Sequence, residues 1–160
     1  MSNSKKEAIL LKLQSVIANI VIDNKPSETS TYVFENTVSY VDRQYIGLTI
    51  EEIQNAKKPW ILINNEGEQL TALPSKNFES KIFIQIVGFV EAKSDDQNLD
   101  SLLNSLQKDV MVAIIEDVEL GGLCSYLVPR DIYTVDELIW PYGGFVLNLE
   151  IDYMFSGTNL

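Results

Sequence analysis

Carboxylates, lysines and one cysteine are the side chains of this sequence with the clearest capacity for chemistry. The chain of 160 residues contains no histidine and a single cysteine, Cys124. These counts exclude imidazole general bases, Ser-His-Asp and Cys-His catalysis and histidine-ligated zinc. They also exclude an internal disulfide and a cysteine pair for a structural metal. An enzyme with this composition would depend on carboxylates, lysine, serine or tyrosine.

The best-placed carboxylates are Glu150 and Asp152, which stand two residues apart in an alternating segment. Residues i and i+2 of a strand share a face, so both could offer oxygen ligands to Mg²⁺ or Ca²⁺. A solvated strand face produces the same pattern, and we favour that interpretation. A metal-assisted enzyme therefore stays a minor hypothesis, which predicts that divalent cations stabilise the fold.

Lysine nucleophiles and a reactive thiol have less support from the sequence. Lys81, Lys93 and Lys108 stand at the ends or polar positions of predicted elements, where solvent exposure is expected. Cys124 lies in an apolar stretch, which predicts a buried and unreactive thiol. No glycine-rich segment has the context of a phosphate loop. We predict that the protein is not an enzyme and has no cofactor or metal site.

The charge balance bears on possible partners. The chain has 12 Lys+Arg and 23 Asp+Glu, a formal net charge of −11. This charge opposes binding to nucleic acid and to anionic lipid. No apolar run approaches the ~20 residues that span a bilayer, and the polar N-terminus does not resemble a signal peptide. We expect a cytoplasmic protein that binds neither nucleic acid nor membrane.

Capping-box spacing predicts three helix starts, at 4–7, 49–52 and 94–97. The first and third precede apolar side chains at helical spacing, which predicts two amphipathic helices. The second predicts a short helix over 50–56. The apolar positions of the two long helices are Ile9, Leu10, Leu13, Val16, Ile17, Ile20 and Val21, and Leu99, Leu102, Leu103, Leu106, Val110, Ala113 and Ile114.

Alternating apolar side chains predict strands over 31–42, 60–63, 81–91, 123–128 and 145–155. The third of these is apolar on both sides, which indicates a central strand that is covered on both faces. The segment 64–67 predicts a turn, and 70–80 predicts a loop or an extended arm. Since strands are often consecutive, we predict one α+β domain over 1–160, with a mainly antiparallel mixed sheet of about four to six strands packed with two main helices.

Aromatic and leucine side chains are the remaining candidates for a functional surface. Trp and Tyr are over-represented as anchors of protein interfaces, whereas Trp60 is expected in the core. We predict a partner interface that includes residues of the Pro/Gly segment, the last strand and the start of the proposed arm. These residues are Trp140, Tyr142, Tyr153, Phe155, Leu70 and Leu73.

The order of the elements carries a family resemblance over nearly the whole chain after Tyr32. KPWILIN stands at 58–64, IFIQIVGFV at 82–90, SDD at 94–96 before a long helix, and GGFVLNLEIDY at 143–153. This layout resembles the tail terminator proteins of long-tailed bacteriophages.

The resemblance implies a structural virion protein rather than a catalyst. It implies a small α+β subunit that assembles as a six-membered ring on the last ring of the tail tube. Such a ring ends tube polymerisation and presents a surface to the head connector. The implied partners are further copies of the chain, the tail tube protein and the head connector. The protein would lie in the host cytoplasm during assembly and at the head-proximal end of the tail in the virion.

An alternative is an acidic protein-binding module, such as an inhibitor or an immunity-type protein. This hypothesis uses the charge of −11 directly. It predicts a monomer whose tight binding to a basic partner is sensitive to salt.

Overall fold

Eight helices and strands follow one another in the computed structural model, which describes residues 4–43 and 49–157. The helices are α1 (Lys5–Ala18), α2 (Ile50–Asn55) and α3 (Leu99–Glu116). The strands are β1 (Tyr40–Arg43), β2 (Trp60–Leu73), β3 (Asn77–Glu91), β4 (Tyr126–Thr134) and β5 (Tyr142–Ser156).

The strands form one five-stranded sheet in the order β1-β2-β3-β5-β4. The β1–β2 pair is parallel and the other three pairs are antiparallel. The predicted α+β class with a mainly antiparallel sheet is therefore confirmed. The central position of 81–91 is also confirmed, because β3 pairs with β2 on one side and with β5 on the other.

The main core lies between the sheet and the two long helices, which pack on one face of the sheet. We call this the helix face. Gly88 of β3 lies on this face, directly opposite Phe145 of β5. A Cβ atom built on Gly88 would lie 2.3 Å from the Phe145 ring, so only glycine leaves room for this fully buried side chain. The fully buried residues of this core include Ile9, Leu13, Ile17, Ile61, Ile82, Ile86, Leu106, Ile114 and Phe145.

The opposite face of the sheet, which we call the open face, is covered at one end by the described residues. There, Ile53 of α2 packs with Trp60, Leu62 and Phe89 in a second apolar cluster. Farther along β3, Phe83 is only half-buried. The prediction that 81–91 is covered on both faces is therefore wrong for this part of the strand, because neither long helix of the described residues packs on the open face.

Two predicted helix starts are confirmed by their hydrogen bonds. The Ser4 hydroxyl accepts a hydrogen bond from the Glu7 amide N–H at 3.1 Å. The Glu7 carboxylate does not complete a capping box, because it accepts two hydrogen bonds from Arg43 at 2.6 and 3.0 Å. Thr49 and Glu52 form a complete capping box at the start of α2. Tertiary contact with β1 thus changes the first cap but not the second.

The third predicted helix start is wrong by several residues. α3 begins at Leu99, and its N-cap is Asn98, whose side-chain oxygen accepts from the Ser101 amide at 3.2 Å. The Gln97 side chain instead accepts a hydrogen bond from the Lys93 amide. Asp and Asn residues compete with Ser for the N-cap position, so the spacing of 94–97 was not decisive.

The segment interpreted as a turn and an arm is a continuous β-hairpin. Gly67 has φ of +121° and lies at a bulge, where its N–H donates to the Asn65 side chain at 3.0 Å. The strand therefore continues to Leu73 instead of turning at 64–67. Leu70 pairs with Ser80, and the chain reverses at 74–76. The turn and the loop or arm were both wrong predictions.

Two other strand predictions need correction. Only residues 40–42 of the predicted strand 31–42 join the sheet, as part of β1. β4 does not end at Pro129, because it continues to Thr134 with a bulge between Pro129 and Asp131. Proline is tolerated here because β4 is an edge strand, whose outer side needs no ladder hydrogen bond.

Candidate functional site

The carboxylates Glu150 and Asp152 share the open face, as predicted, but they have separate partners on β4. Glu150 accepts a hydrogen bond from Arg130 at 2.8 Å, and this interaction lowers the pKa of the Glu150 carboxyl. Asp152 is only 2 % exposed and accepts from the Tyr126 hydroxyl at 3.2 Å. Within 4–43 and 49–157, no three or more Asp, Glu or Cys side chains are grouped as a metal site.

A carboxylate contact that the sequence did not reveal joins Asp152 to Glu79 of β3. The pKa of Glu79 is raised mainly by a hydrogen bond with Asp152, and electrostatic repulsion from Asp152 adds to this effect. Asp152 stands opposite Lys81 in the sheet register, so Glu79 is its diagonal neighbour on the same face. The strand register alone brings these two carboxylates together, and no spacing in the sequence indicates it.

Lys58 is a buried lysine that sequence reasoning missed. It is 6 % exposed, and its Nζ donates to the carbonyl oxygens of Gln54 at 3.2 Å and Ala56 at 2.8 Å. Burial lowers the pKa of its ammonium group. The ammonium also lies 4.6 Å from the centre of the Tyr142 ring. These contacts hold the end of α2 against β5.

Cys124 is buried, as predicted. Burial raises the pKa of its thiol to about 11, and Asp117 and Glu119 add to this effect. The thiol donates a hydrogen bond to the Val118 carbonyl at 3.5 Å. A thiol with a raised pKa forms little thiolate at neutral pH, which is consistent with an unreactive side chain.

Two of the six predicted interface residues belong to the core. Tyr153 is 4 % exposed and Phe155 is 8 % exposed. Both lie on the helix face at the far end of β5, where Phe155 stacks on Phe78 with ring centres 5.3 Å apart. The prediction that they form a partner interface is therefore wrong, because their own subunit covers them.

The other four predicted interface residues lie at opposite ends of the sheet. Trp140 is 50 % exposed and Tyr142 is half-buried, at the end where β3 finishes and β5 begins. Leu70 is 55 % exposed and Leu73 is half-buried, near the hairpin turn at the other end. The structure therefore does not bring the predicted set into one surface.

Around Trp140, two loops form a surface that we call the Trp140 end, comprising residues 92–98 and 135–141. The Ala92 amide donates to the Pro141 carbonyl at 2.8 Å and joins the loops. Ile139 is 78 % exposed here, the highest value among the exposed large apolar side chains of the described residues. Sequence analysis missed Ile139 because its segment 132–139 has no clear periodicity.

Two surface grooves of about 460 Å³ flank α3. One lies between α1 and α3, and the other lies between α3 and β4. In the first groove, Glu116 accepts a hydrogen bond from the Ser27 hydroxyl, and Asp117 accepts from the Gly121 amide at 2.9 Å. These carboxylates hold neighbouring loops in place and have no arrangement typical of a catalytic pair.

Comparison with known proteins gives no family assignment. No family model matches the sequence, and no curated protein is sufficiently similar to count as a relative. Across the described parts of the chain, no helix is long and apolar enough to cross a membrane. Function must therefore be argued from the sequence pattern and from the surfaces described above.

Proposed function

We propose that this protein is a structural subunit of a bacteriophage tail. In this proposal, six copies form a ring that caps the tail tube, ends its polymerisation and joins it to the head connector. The support from sequence is the resemblance to tail terminator proteins, and the α+β fold belongs to the class that this resemblance implies. The subunit acts through protein contacts and catalyses no reaction.

The observation that carries the proposal is the exposure of apolar side chains beside both edge strands of the sheet. On the β1 side, Tyr40 of this edge strand is 41 % exposed. On the β4 side, Ile132 is 41 % and Tyr133 is 50 % exposed. A ring of identical subunits needs two different surfaces that meet head to tail. Surfaces at opposite edges of one sheet fit this requirement.

The polar groups of the protein also support a structural role. Asp109, Asp152 and Lys58 are the buried charged side chains of the described residues, and all three join elements of the fold. In a metal-assisted enzyme built on Glu150 and Asp152, the cation would compete with the Arg130 and Tyr126 contacts and would lie near the positive charge of Arg130. This competition favours the assembly hypothesis over the metal hypothesis.

The proposal is tested by size-exclusion chromatography with light scattering over a concentration series, and by negative-stain microscopy of the peak. We expect a closed ring of six subunits, or a monomer that binds to the ends of isolated tail tubes. A double substitution, Ile132→Ser with Tyr133→Ser, should weaken ring formation. Ile115→Ser is the matched control, since Ile115 is 56 % exposed but lies on α3. A monomer that binds no tube end contradicts the proposal.

The alternative acidic binding module is favoured by one feature of the structure, the acidic loops of the Trp140 end. Asp95, Asp96, Asp136 and Glu137 are all exposed there. This hypothesis predicts a monomer whose binding to a basic protein weakens as salt is added. The same light-scattering series separates the two hypotheses, because only the first predicts a ring or a complex with tail tubes.

A further inference from the structure

We propose that the Trp140 end docks onto a basic surface of another protein, with Ile139 and Trp140 entering an apolar recess between lysine and arginine side chains. The choice of partner rests on the proposed function, in which the partner would form an adjoining ring of the tail. The surface itself is argued from the side chains described below.

The loop that carries Ile139 and Trp140 is held in place on both sides. The Val135 amide donates to the Gly144 carbonyl at 2.9 Å, and the Tyr142 amide donates to the Ile139 carbonyl at 3.0 Å. Leu138 packs against the second apolar cluster and anchors the loop on the sheet. Because the loop is already ordered, little conformational entropy is lost when a partner covers its exposed side chains.

The charges around this apolar pair determine the kind of partner. Asp95 and Asp96 lie in one loop of the Trp140 end, and Asp136 and Glu137 lie in the other. The one basic residue of these two loops, Lys93, pairs with Glu91 at 3.3 Å. Four carboxylates beside a half-exposed tryptophan complement lysine and arginine, and arginine also binds favourably over a tryptophan ring. The same carboxylates repel nucleic acid.

A second copy of the chain is a poor match for this surface. In the part of the chain that the structure describes, five basic residues already form ion pairs, and Lys58 is buried. The remaining lysines are spread over different elements and provide no concentrated basic surface. They are Lys5 and Lys12 of α1, Lys25, Lys57, Lys76 at the hairpin turn and Lys81 of β3. Charge complementarity therefore favours a partner of different sequence.

The test uses a displayed library of short random peptides, selected against the full-length protein. We expect enrichment of peptides that combine lysine or arginine with an apolar residue. Their affinity should fall about tenfold or more in Trp140→Ala and in the double variant Asp136→Lys with Glu137→Lys. It should also fall as salt is added. Ile115→Ser is the control and should bind normally, and circular dichroism confirms that each variant is folded.

Several results would overturn this inference. They are the absence of any enriched peptide, enrichment of neutral or acidic peptides, and binding that is unchanged in the Trp140→Ala variant. A loss of ring formation in Trp140→Ala would also overturn it, because the Trp140 end would then contact a second copy. The two proposals can fail separately. If the wild-type protein neither forms a ring nor binds tail tubes, but the enriched peptides still need Trp140 for binding, the proposed function fails while the docking surface stands.

Discussion

Asp109 of α3 provides the sharpest test of the structural reasoning. This carboxylate is fully buried, and it accepts hydrogen bonds from the Tyr32 hydroxyl at 2.7 Å and from the amides of Glu35 at 3.1 Å and Asn36 at 2.8 Å. The Asn36 side chain donates a further bond at 2.8 Å. These contacts attach the extended segment 31–36 to α3. Burial and the hydrogen bond to Asp109 also raise the pKa of Tyr32.

Replacing Asp109 should therefore destabilise the protein strongly. In Asp109→Ala, four donor groups lose an acceptor, and each unsatisfied buried donor costs about 1–3 kcal/mol. Some of them will reach water, so we expect the free energy of unfolding to fall by about 3–5 kcal/mol. Asp109→Asn keeps one acceptor oxygen and should cost about 2 kcal/mol. In a double-mutant cycle with Tyr32→Phe, the coupling energy should be about 1–2 kcal/mol.

The assay is equilibrium unfolding in urea, followed by circular dichroism. Asp100→Asn is the matched control, because it removes one negative charge from an exposed position in the first turn of the same helix. It should cost less than about 1 kcal/mol. The reasoning is refuted if Asp109→Ala costs no more than Asp100→Asn, or if the cycle with Tyr32→Phe shows no coupling.

Three other predictions follow from single contacts. Gly88→Ala should lower the free energy of unfolding by about 1–3 kcal/mol, because the alanine methyl group would meet the Phe145 ring. Adding Phe145→Leu should recover part of this loss in the same urea assay. Glu79 has a raised pKa in the fold, so its contribution to stability is greatest at low pH and is lost as pH rises through that pKa. Glu79→Gln should therefore raise Tm in calorimetry at pH ~7 but not at pH ~3. An equal effect at both pH values would exclude repulsion by Asp152. With each ion normalised to its quenching of free N-acetyltryptophanamide, caesium should quench Trp140 more than iodide does, and Trp140→Phe should remove most quenching by either ion; equal normalised quenching would argue against an acidic environment.

Local patterns were sufficient to predict much of the fold. The helical spacing of apolar residues predicted α1 and α3, and alternation predicted β3 and β5. These signals are strong because each element buries one side or both, and burial imposes its own period on the sequence. The same alternation placed Tyr153 and Phe155 on the dry side of β5. This placement already favoured burial over an interface, and in the structure both side chains are buried.

Turns and bulges were harder to predict because one residue type can serve both. The segment 64–67 contains the Asn and Gly residues of a tight turn, yet β3 is long enough to pair with a β2 that continues past this segment. Gly67 therefore accommodates a bulge, and the strand continues. Likewise, Pro129 does not end β4, since only its place at the edge of the sheet decides whether a missing N–H matters.

The candidate functional features depended most on tertiary structure. From the sequence alone came the lack of histidine chemistry, the acidic charge, the fold class and Trp140 as a candidate surface residue. The contact of Asp152 with Glu79, the contact of Lys58 with the Tyr142 ring and the partners of Asp109 all join residues that are far apart in the chain. The joining of 92–98 to 135–141 at the Trp140 end is of the same kind. Side-chain spacing along one segment reports only which residues share a face, whereas the strand register and the packing of helices decide which faces meet.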